Sequence, residues 1–327
     1  MQLPGFVDLQ VNGYLGCDFG GLELTDETFA DACRKLLAQG TAAFLPTVST
    51  APMAVYERNL PILARAIESE EFGGRLLGIH VEGPFLSPEP GARGAHNPEW
   101  IRDGDVELLD RLLALAGGHV SLLTVAPEAA GAEDVARRAV EAGITVAVGH
   151  TMATPEDLDR MVAAGATAFT HLGNGLPNLI HRHQNPVWAA LANDALTATL
   201  ITDGHHLPAE AIKTMIRAKG VARTVVVSDA SHLCGLPPGR YSSIDNEVVL
   251  EPSGRLHNPE KQCLVGSSAT MMQCMNHLAS LDILPLDDLL AVGFHNPLAL
   301  IGAAPGDLRA PGELTWDEKP RTFRWAG

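Results

Sequence analysis

The sequence is poor in basic residues and in cysteine, and it contains no long apolar run. It has 23 lysines and arginines against 39 aspartates and glutamates, which gives a formal net charge of −16. A surface of this charge repels phosphate backbones and anionic lipid, so we expect neither a nucleic-acid nor a membrane partner. No stretch of about 18 apolar residues occurs, which excludes a transmembrane helix.

Five cysteines are present, an odd number without a C-x-x-C pair. Residues 1–10 lack the basic and apolar regions of a secretory signal. We therefore expect reduced thiols in a cytoplasmic protein. Apolar residues make up 46% of the chain and charged residues 19%, which provides a sizeable core and excludes a disordered chain. A length of 327 residues fits two average domains or one large α/β barrel.

Short β-branched runs alternate with helical segments along most of the chain. The runs are nearly all apolar, which is typical of strands that are covered on both faces. Eight strands are predicted, at residues 5–12, 41–48, 75–81, 120–125, 144–148, 166–170, 196–202 and 223–228. Eight βα units predict a (β/α)8 barrel of the TIM type, and we assign residues 1–310 to it. An open doubly wound sheet is the alternative, but no glycine-rich phosphate turn follows the first strand.

The part of the chain after the eighth strand is less regular. Residues 236–258 are predicted to be irregular or a hairpin, because they contain the turn sequences Pro-Pro-Gly and Ser-Gly. Residues 268–279 and 286–294 are predicted helices, and the first can close the eighth unit. Met271, Met272 and Met275 lie at helical spacing in it, which indicates core positions.

Polar side chains interrupt the strands at their carboxyl ends, which ring the active site of a barrel. They are Gln10, Asn12, Glu82, His150, His171, Asp203, His205, His206 and Asp229. Glu82, His150 and His171 end three of the strands, and two histidines with one glutamate are a common ligand set for a catalytic divalent metal. Asp229 is then placed to act as a general base on water and afterwards as an acid toward a leaving amine.

Each of these residues also has an ordinary structural alternative. Glu82 fits an ion pair at the barrel mouth, Asp229 fits a helix cap, and either histidine fits a hydrogen-bonded core position. His80 lies two residues before Glu82, on the same face of the strand but deeper, and we predict a packed structural role for it. The metal-site hypothesis depends on the conjunction of all these residues at one end of the barrel.

The motifs together resemble those of the N-acetylglucosamine-6-phosphate deacetylase family, part of the amidohydrolase superfamily of metal-dependent (β/α)8 hydrolases. The similarity covers nearly the whole chain. It is carried by residues 4–13, 80–85, 94–98, 149–151, 170–174, 203–206, 228–230, 266–268 and 296–297. The Glu-Gly-Pro-Phe segment at 82–85 with the His-Asn-Pro segment at 96–98 is the most specific part, whereas the histidines alone indicate only the superfamily.

The resemblance implies catalytic roles for the matching residues. Glu82, His150 and His171 would hold a divalent metal, with Zn²⁺ preferred and Fe²⁺ or another divalent ion as the alternative. Asp229 would be the general base and acid. His206 would polarise the acetyl carbonyl of the substrate.

The resemblance also implies substrate contacts and a partner subunit. His96 would contact the sugar, and the backbone amides of Asn174 and Gly175 would meet the phosphate. Arg182 lies eleven residues after His171, at the family's spacing for a phosphate-binding arginine that reaches in from a neighbouring subunit. The family therefore predicts a homodimer.

Three departures from the family pattern bear on these expectations. The usual His-x-His of the first strand reads Gln10-Val11-Asn12, and because amides are poor ligands beside imidazole we expect one metal ion rather than two. The usual amino-terminal half of a small β-sandwich is missing, so the sandwich is expected to be absent or vestigial, with residues 311–327 as a candidate remnant. Residues 174–177 and 182–186 differ from the family where it reads phosphate and sugar.

We therefore predict a metal-dependent amide hydrolase that removes acetate from N-acetylglucosamine 6-phosphate. One alternative is a different N-acyl sugar, a cyclic amide or a deamination substrate on the same metal core. The other is a barrel that binds a sugar phosphate without catalysis.

Overall fold

The computed structural model describes residues 5–243, 246–309 and 312–326. The predicted boundary between residues 310 and 311, and Pro4 of the first motif, lie outside the described residues. Eight parallel strands form one sheet in chain order. They are β1 (Phe6–Val11), β2 (Thr41–Ser49), β3 (Ile79–Glu82), β4 (Val120–Val125), β5 (Thr145–Val148), β6 (Ala168–Phe169), β7 (Thr197–Ile201) and β8 (Thr224–Val227).

The sheet closes between its first and last strands. Val11 and Ala230 form a parallel bridge, and the amide of Asn12 donates to the carbonyl of Ala230 at 2.7 Å. The predicted α/β barrel is therefore confirmed.

Eight helices cover the outside of the barrel. They are α1 (Asp26–Leu37), α2 (Met53–Glu68), α3 (Val106–Leu115), α4 (Ala132–Glu141), α5 (Pro155–Ala163), α6 (Pro186–Ala192), α7 (Ala209–Lys219) and α8 (Met271–Ser280). Met271 and Met275 of α8 are fully buried and Met272 packs on the same core, as predicted. None of the described helices is long and apolar enough to cross a bilayer.

A further helix closes the barrel at the amino ends of the strands. It begins as α9 (Leu286–Leu290), widens into a π-helical turn (Ala291–His295) and ends as α10 (Asn296–Leu300). Thr145 and Thr224, each the first residue of its strand, bond to Leu300 and Asn296 respectively. The predicted helix at 286–294 therefore continues beyond its predicted end. The π turn falls just before Pro297, which lacks the amide that a regular α-helix needs.

The third strand is shorter at its beginning than the prediction of 75–81. Gly78 has φ +127, and a Cβ at this position would lie 1.9 Å from Ser121 Oγ. This backbone conformation, which only glycine adopts readily, interrupts the ladder so that β3 begins at Ile79. The strand ends at Glu82, which places that carboxylate at the rim of the barrel.

Residues after β8 form a separate small sheet on the site side of the barrel. Its antiparallel strands are β9 (Gly239–Ser243), β10 (Asn246–Leu250), β11 (Leu256–Asn258) and β12 (Cys263–Leu264). His205 Nε2 donates to the carbonyl of Ser253 at 3.1 Å, which joins the turn between β10 and β11 to the loop after β7. The predicted hairpin in 236–258 is thus part of a larger sheet.

The carboxyl-terminal tail forms a hairpin of β13 (Leu314–Asp317) and β14 (Thr322–Trp325). The side chain of Asn276 bonds to both the amide and the carbonyl of Phe323, and Phe323 meets Phe6 edge to face at 4.9 Å. The tail therefore packs on the barrel. Its origin as a remnant of a β-sandwich stays a prediction. All five cysteines are unpaired, and the cytoplasmic location inferred from them also stays a prediction.

Candidate metal centre and catalytic cavity

Three of the predicted site residues have left-handed backbone conformations at the ends of their strands. The φ angles are +49 for His150, +33 for His171 and +50 for Asp229. Non-glycine residues rarely adopt this region, and surrounding contacts must hold them there. For His171, the amide donates to Thr199 Oγ1 of the neighbouring strand at 2.7 Å. The chain thus turns sharply at each position and directs the side chain over the barrel mouth.

Glu82, His150 and His171 converge on one point. Nε2 of His150 lies 3.0 Å from Nε2 of His171, and Oε1 of Glu82 lies 3.3 Å and 3.1 Å from these nitrogens respectively. All three residues are buried. Among the described residues they form the one such group of three suited to holding a metal ion. The structure therefore brings the predicted ligand set together.

The Glu82 carboxylate is ionised within this cluster. Burial alone would raise the pKa of Glu82, but hydrogen bonds from His150 and His171 outweigh burial and hold that pKa well below its usual range. Gln10 Nε2 donates to Glu82 Oε1 at 2.8 Å, and Ser49 Oγ donates to Oε2 at 3.2 Å. Gln10 therefore acts as a donor to the ligand carboxylate.

His150 is oriented so that its Nε2 faces the cluster. Its Nδ1 lies 2.9 Å from the carbonyl of Ala92, which can only accept, so Nδ1 carries a proton and Nε2 is the atom that would give its lone pair to a bound metal. Gly175 packs directly on this ring, since a Cβ there would lie 2.9 Å from His150 Nδ1. Side chains larger than glycine at 175 would displace the ligand.

The donor set fits a divalent metal ion. In a tetrahedral site with ligands at about 2.0–2.1 Å, neighbouring ligand atoms lie about 3.3 Å apart. The three observed separations match this spacing. Two imidazoles and one carboxylate leave a fourth position open, which is the arrangement of a catalytic rather than a structural site.

Asp229 lies beside the cluster. Its Oδ1 accepts a hydrogen bond from Asn12 Nδ2 at 2.7 Å. Burial, and after it the negative charge of Glu82, raises the pKa of Asp229 to about 6, although His171, His206 and the Asn12 bond oppose the shift. A carboxyl group with this environment can exchange protons near neutral pH, as a general base requires.

His206 is fixed by an aspartate on the same loop. Its Nδ1 lies 2.8 Å from Asp203 Oδ2, and Asp203 Oδ1 accepts from the amides of His205 and His206. Burial would raise the pKa of Asp203, but the bonds from His206 outweigh it and keep that pKa below its usual range. Ser267 Oγ also donates to Asp203, at 3.1 Å.

His96 lies against the cluster as well. Its Nε2 is 3.2 Å from His150 Nε2 and 3.8 Å from Glu82 Oε2. Burial, followed by the neighbouring His150, lowers the pKa of His96 to about 3, so this ring is neutral. A neutral histidine at this position can contact a substrate without adding a positive charge to the site.

His80 occupies the layer beneath, as predicted. It is fully buried, with Nε2 2.8 Å from Thr124 Oγ1, and Thr124 Oγ1 lies 2.8 Å from Thr170 Oγ1. Burial lowers the pKa of His80 to about 4. Its contacts are all with protein groups that support the strands, which fits the structural role.

A cavity of 930 Å³ opens above the metal cluster. It is lined by the predicted residues Glu82, His96, His150, His171, Asn174, Gly175, His206 and Asp229, together with Asn12. Arg182 is exposed and does not line the cavity of its own chain. Arg255, on the turn before β11, is the one arginine or lysine among the described lining residues, and the sequence analysis missed it. Its position depends on the small sheet, which no local motif predicts.

An eight-stranded barrel whose strand ends present two histidines, a glutamate and an aspartate defines a metal-dependent hydrolase of the amidohydrolase type. No family model matches the chain. An N-acetylglucosamine-6-phosphate deacetylase of Bos taurus is 33% identical over 310 residues, covering 91% of this chain and 74% of that protein. The chain belongs to the N-acetylglucosamine-6-phosphate deacetylase family.

Two other similar proteins bear on the substrate. A mutant N-acetyl-D-glucosamine-6-phosphate deacetylase of Mycobacterium smegmatis, solved in complex with N-acetyl-D-glucosamine 6-phosphate, matches with a TM-score of 0.87 at 30% identity, covering 99% of this chain and 85% of that one. An N-acetylgalactosamine-6-phosphate deacetylase of Escherichia coli O157:H7 is 28% identical over 301 residues, covering 91% and 78%.

Proposed function

We propose that this protein hydrolyses the acetamide of N-acetylglucosamine 6-phosphate and releases glucosamine 6-phosphate and acetate. The observation that carries the proposal is the convergence of Glu82, His150 and His171 with Asp229 in one cavity. Membership of the deacetylase family supports the same reaction. We propose one Zn²⁺ as the cofactor, because this ligand set and open fourth position suit it, with Fe²⁺ as the alternative.

When bound, the divalent ion supplies a Lewis acid and lowers the pKa of water. Asp229 takes the proton of the attacking water and later gives it to the departing nitrogen, so one carboxyl group serves both halves of the reaction. The bond from Asn12 fixes Oδ1 of Asp229 and leaves Oδ2 for this transfer. Gln10 and Asn12 serve as donors to Glu82 and Asp229, which supports a single metal ion.

His206 is proposed to donate to the acetyl oxygen. Since its Nδ1–H is directed at Asp203, a singly protonated ring would present only a lone pair at Nε2. Donation to the substrate therefore requires a proton on both ring nitrogens. This pair stabilises negative charge as it develops on the carbonyl oxygen.

The phosphate is proposed to bind the amides of Asn174 and Gly175 and a guanidinium group. Arg182 is exposed and does not line its own cavity, so it would act in the site of a second subunit. Leu179 and Trp188 lie near it in the chain and are 92% and 53% exposed, and exposed apolar side chains of this size fit a subunit interface. We propose a homodimer on this basis.

The decisive experiment measures acetate release by the metal-loaded protein from four sugars. These are N-acetylglucosamine and N-acetylgalactosamine, each with and without the 6-phosphate. Release from N-acetylglucosamine 6-phosphate that exceeds the other three supports the proposal. The loop at 174–186 departs from the family, and a preference for either unphosphorylated sugar would replace the proposed substrate. The absence of release from all four, with metal bound, would contradict the deacetylase function.

A further inference from the structure

The proposed base Asp229 has a left-handed backbone conformation just after the end of β8. Its φ of +50 places the peptide groups on both sides of it in positions that a regular strand would not give. The amide of Ala230 belongs to the peptide after Asp229, and the amide of Ser228 lies one peptide before the two that flank Asp229. The carbonyl of Asp229 accepts from the amide of Ser267 at 2.8 Å, and the groups that bind the amides of Ser228 and Ala230 fix the chain on either side of the carboxylate.

Asp8 of β1 binds the first of them. Asp8 is 1% exposed, and its Oδ1 accepts from the amide of Ser228 at 3.1 Å. Its Oδ2 accepts from Ser228 Oγ at 2.5 Å. Ser228 Oγ in turn accepts from the amide of Ala230 at 3.1 Å. One buried carboxylate and one hydroxyl therefore bind the backbone on both sides of Asp229.

Asp8 has no place in the chemistry itself. It does not line the catalytic cavity, and it belongs neither to the metal cluster nor to its hydrogen-bond partners. A buried carboxylate is costly unless its contacts require it, and all of its hydrogen bonds lead to the backbone or hydroxyl of Ser228 and to the amide of Gln10. The burial of Asp8 is therefore best explained by its effect on Asp229, the residue that follows Ser228.

We propose that Asp8 and Ser228 form a positioning pair that holds the turn at Asp229 and aims its carboxylate at the metal cluster. The catalytic consequence rests on the proposed function, because it assumes that Asp229 transfers the proton. Asn12 completes the arrangement from the other side, through its amide to the carbonyl of Ala230 and its side chain to Asp229.

The test compares Ser228→Ala with Thr224→Val, its matched control. Thr224 is equally buried at the opposite end of the same strand, and its hydroxyl donates to the carbonyl of Gly220 at 3.0 Å. Both variants lose one buried hydroxyl. We expect Ser228→Ala to lower kcat by about 10–100-fold with KM within about twofold, metal content unchanged and a crystal structure in which Asp229 has left Asn12. Thr224→Val should lower Tm to a similar extent without these changes.

Ser228→Thr and Asp8→Asn extend the comparison. The threonine keeps the hydroxyl and should restore most of kcat. Asparagine at position 8 keeps one acceptor and loses the charge, so kcat should fall between the wild type and Ser228→Ala. If Ser228→Thr does not fold, Asp8→Asn carries the test by itself, because it preserves side-chain shape.

Three results would overturn the proposal. One is an unchanged kcat with the Asn12–Asp229 contact intact in Ser228→Ala. Another is a fall in kcat no larger than in Thr224→Val. The third is loss of metal from Asp8→Asn, which would show that Asp8 acts through Gln10 and Glu82. If the wild type releases no acetate, the proposed function fails, and the Asn12–Asp229 distance in the two variant structures still decides whether the pair positions Asp229.

Discussion

Nδ1 of His206 donates a hydrogen bond to Oδ2 of Asp203, at 2.8 Å, within a loop where both residues follow the same strand. The aspartate is fully engaged as an acceptor, since two backbone amides and Ser267 Oγ bind it as well. Asp203 therefore fixes the orientation of the His206 ring and places a negative charge beside it.

Asp203→Asn keeps an acceptor for the Nδ1 proton but removes the negative charge beside His206. We expect kcat to fall by roughly 10-fold or more, because a neutral amide binds the Nδ1 proton more weakly than a carboxylate and orients the ring less firmly. His206→Ala should cost about 10²–10³ in kcat, and the double variant should cost little more than His206→Ala alone. A kcat within about twofold of the wild type in Asp203→Asn would show that the charge of Asp203 is not required.

Removal of a metal ligand should abolish metal binding and activity together. His150→Ala and His171→Ala each leave two ligands, and we expect less than one tenth of the wild-type metal content after gel filtration. His119→Ala is the control, because His119 is partly exposed and pairs with Glu68 far from the site. Elemental analysis of the three variants measures the outcome. Full metal occupancy in both ligand variants would remove the metal-site hypothesis.

Asp229→Asn should retain the metal and the fold but lower turnover by about 10²–10⁴, the range for a general acid–base group. The base must be ionised to accept a proton. Burial raises the pKa of Asp229 to about 6, and a bound cation lowers it from that value. The kcat/KM of the wild type should therefore fall as pH drops below about 6.

Asn12→Ala tests Asp229 by removing the hydrogen bond to its carboxylate. The Asn12 bond lowers the pKa of Asp229, so its loss should move the acidic limb of kcat/KM to higher pH. A pH profile measured on the variant decides this. If the acidic limb does not move in the variant, the limb reports the titration of a residue other than Asp229.

The sequence was sufficient to predict the barrel and the cluster of Glu82, His150 and His171, for the same physical reason. Strands covered on both faces are apolar, so a glutamate or histidine at the end of such a run stands out. The helix at 286–300 and β3 were misplaced at their ends, because Gly78 and Pro297 act through tertiary contacts and backbone bonding that a local pattern does not contain. Arg255 and the bonds between Ser228 and Asp8 were missed, because they depend on neighbours from distant segments.

Asp8 also gives a prediction for stability. Burial raises the pKa of Asp8 to about 6 in the folded chain, against its ordinary 3.8. Between these pH values the folded state binds more protons than the unfolded state, so this group lowers the free energy of unfolding as pH rises from about 4 to 6, by about 3 kcal/mol. Asp8→Asn cannot titrate. Relative to the wild type it should therefore be more stable at pH 7 than at pH 4.5, as measured by urea unfolding at both pH values.

The phosphate preference has two candidate cations. Arg255 lines the cavity, with its Nη1 3.4 Å from Glu251 Oε1, whereas Arg182 is proposed to come from a partner. If the proposed substrate holds, removal of the 6-phosphate should lower kcat/KM by about 10²-fold or more, since a guanidinium makes two charge-assisted bonds to phosphate. Arg182→Ala should erase most of this preference and leave the unphosphorylated sugar unaffected. Arg255→Ala should change this phosphate preference by less than about tenfold. A larger loss of the preference in Arg255→Ala than in Arg182→Ala would show that Arg255 binds the phosphate.

A mixture of two inactive chains tests whether Arg182 acts across the dimer. One chain carries Arg182→Ala and the other Asp229→Asn. If the arginine serves its partner, each mixed dimer has one site with both groups intact and one site lacking both, so activity on the phosphorylated sugar should return to about a quarter of the wild type, because half of randomly exchanged dimers are mixed. Arg182 acting within its own chain leaves every site defective and gives no recovery. Tagged chains that co-purify after mixing provide the control for subunit exchange, and no recovery with exchange shown would contradict the shared site.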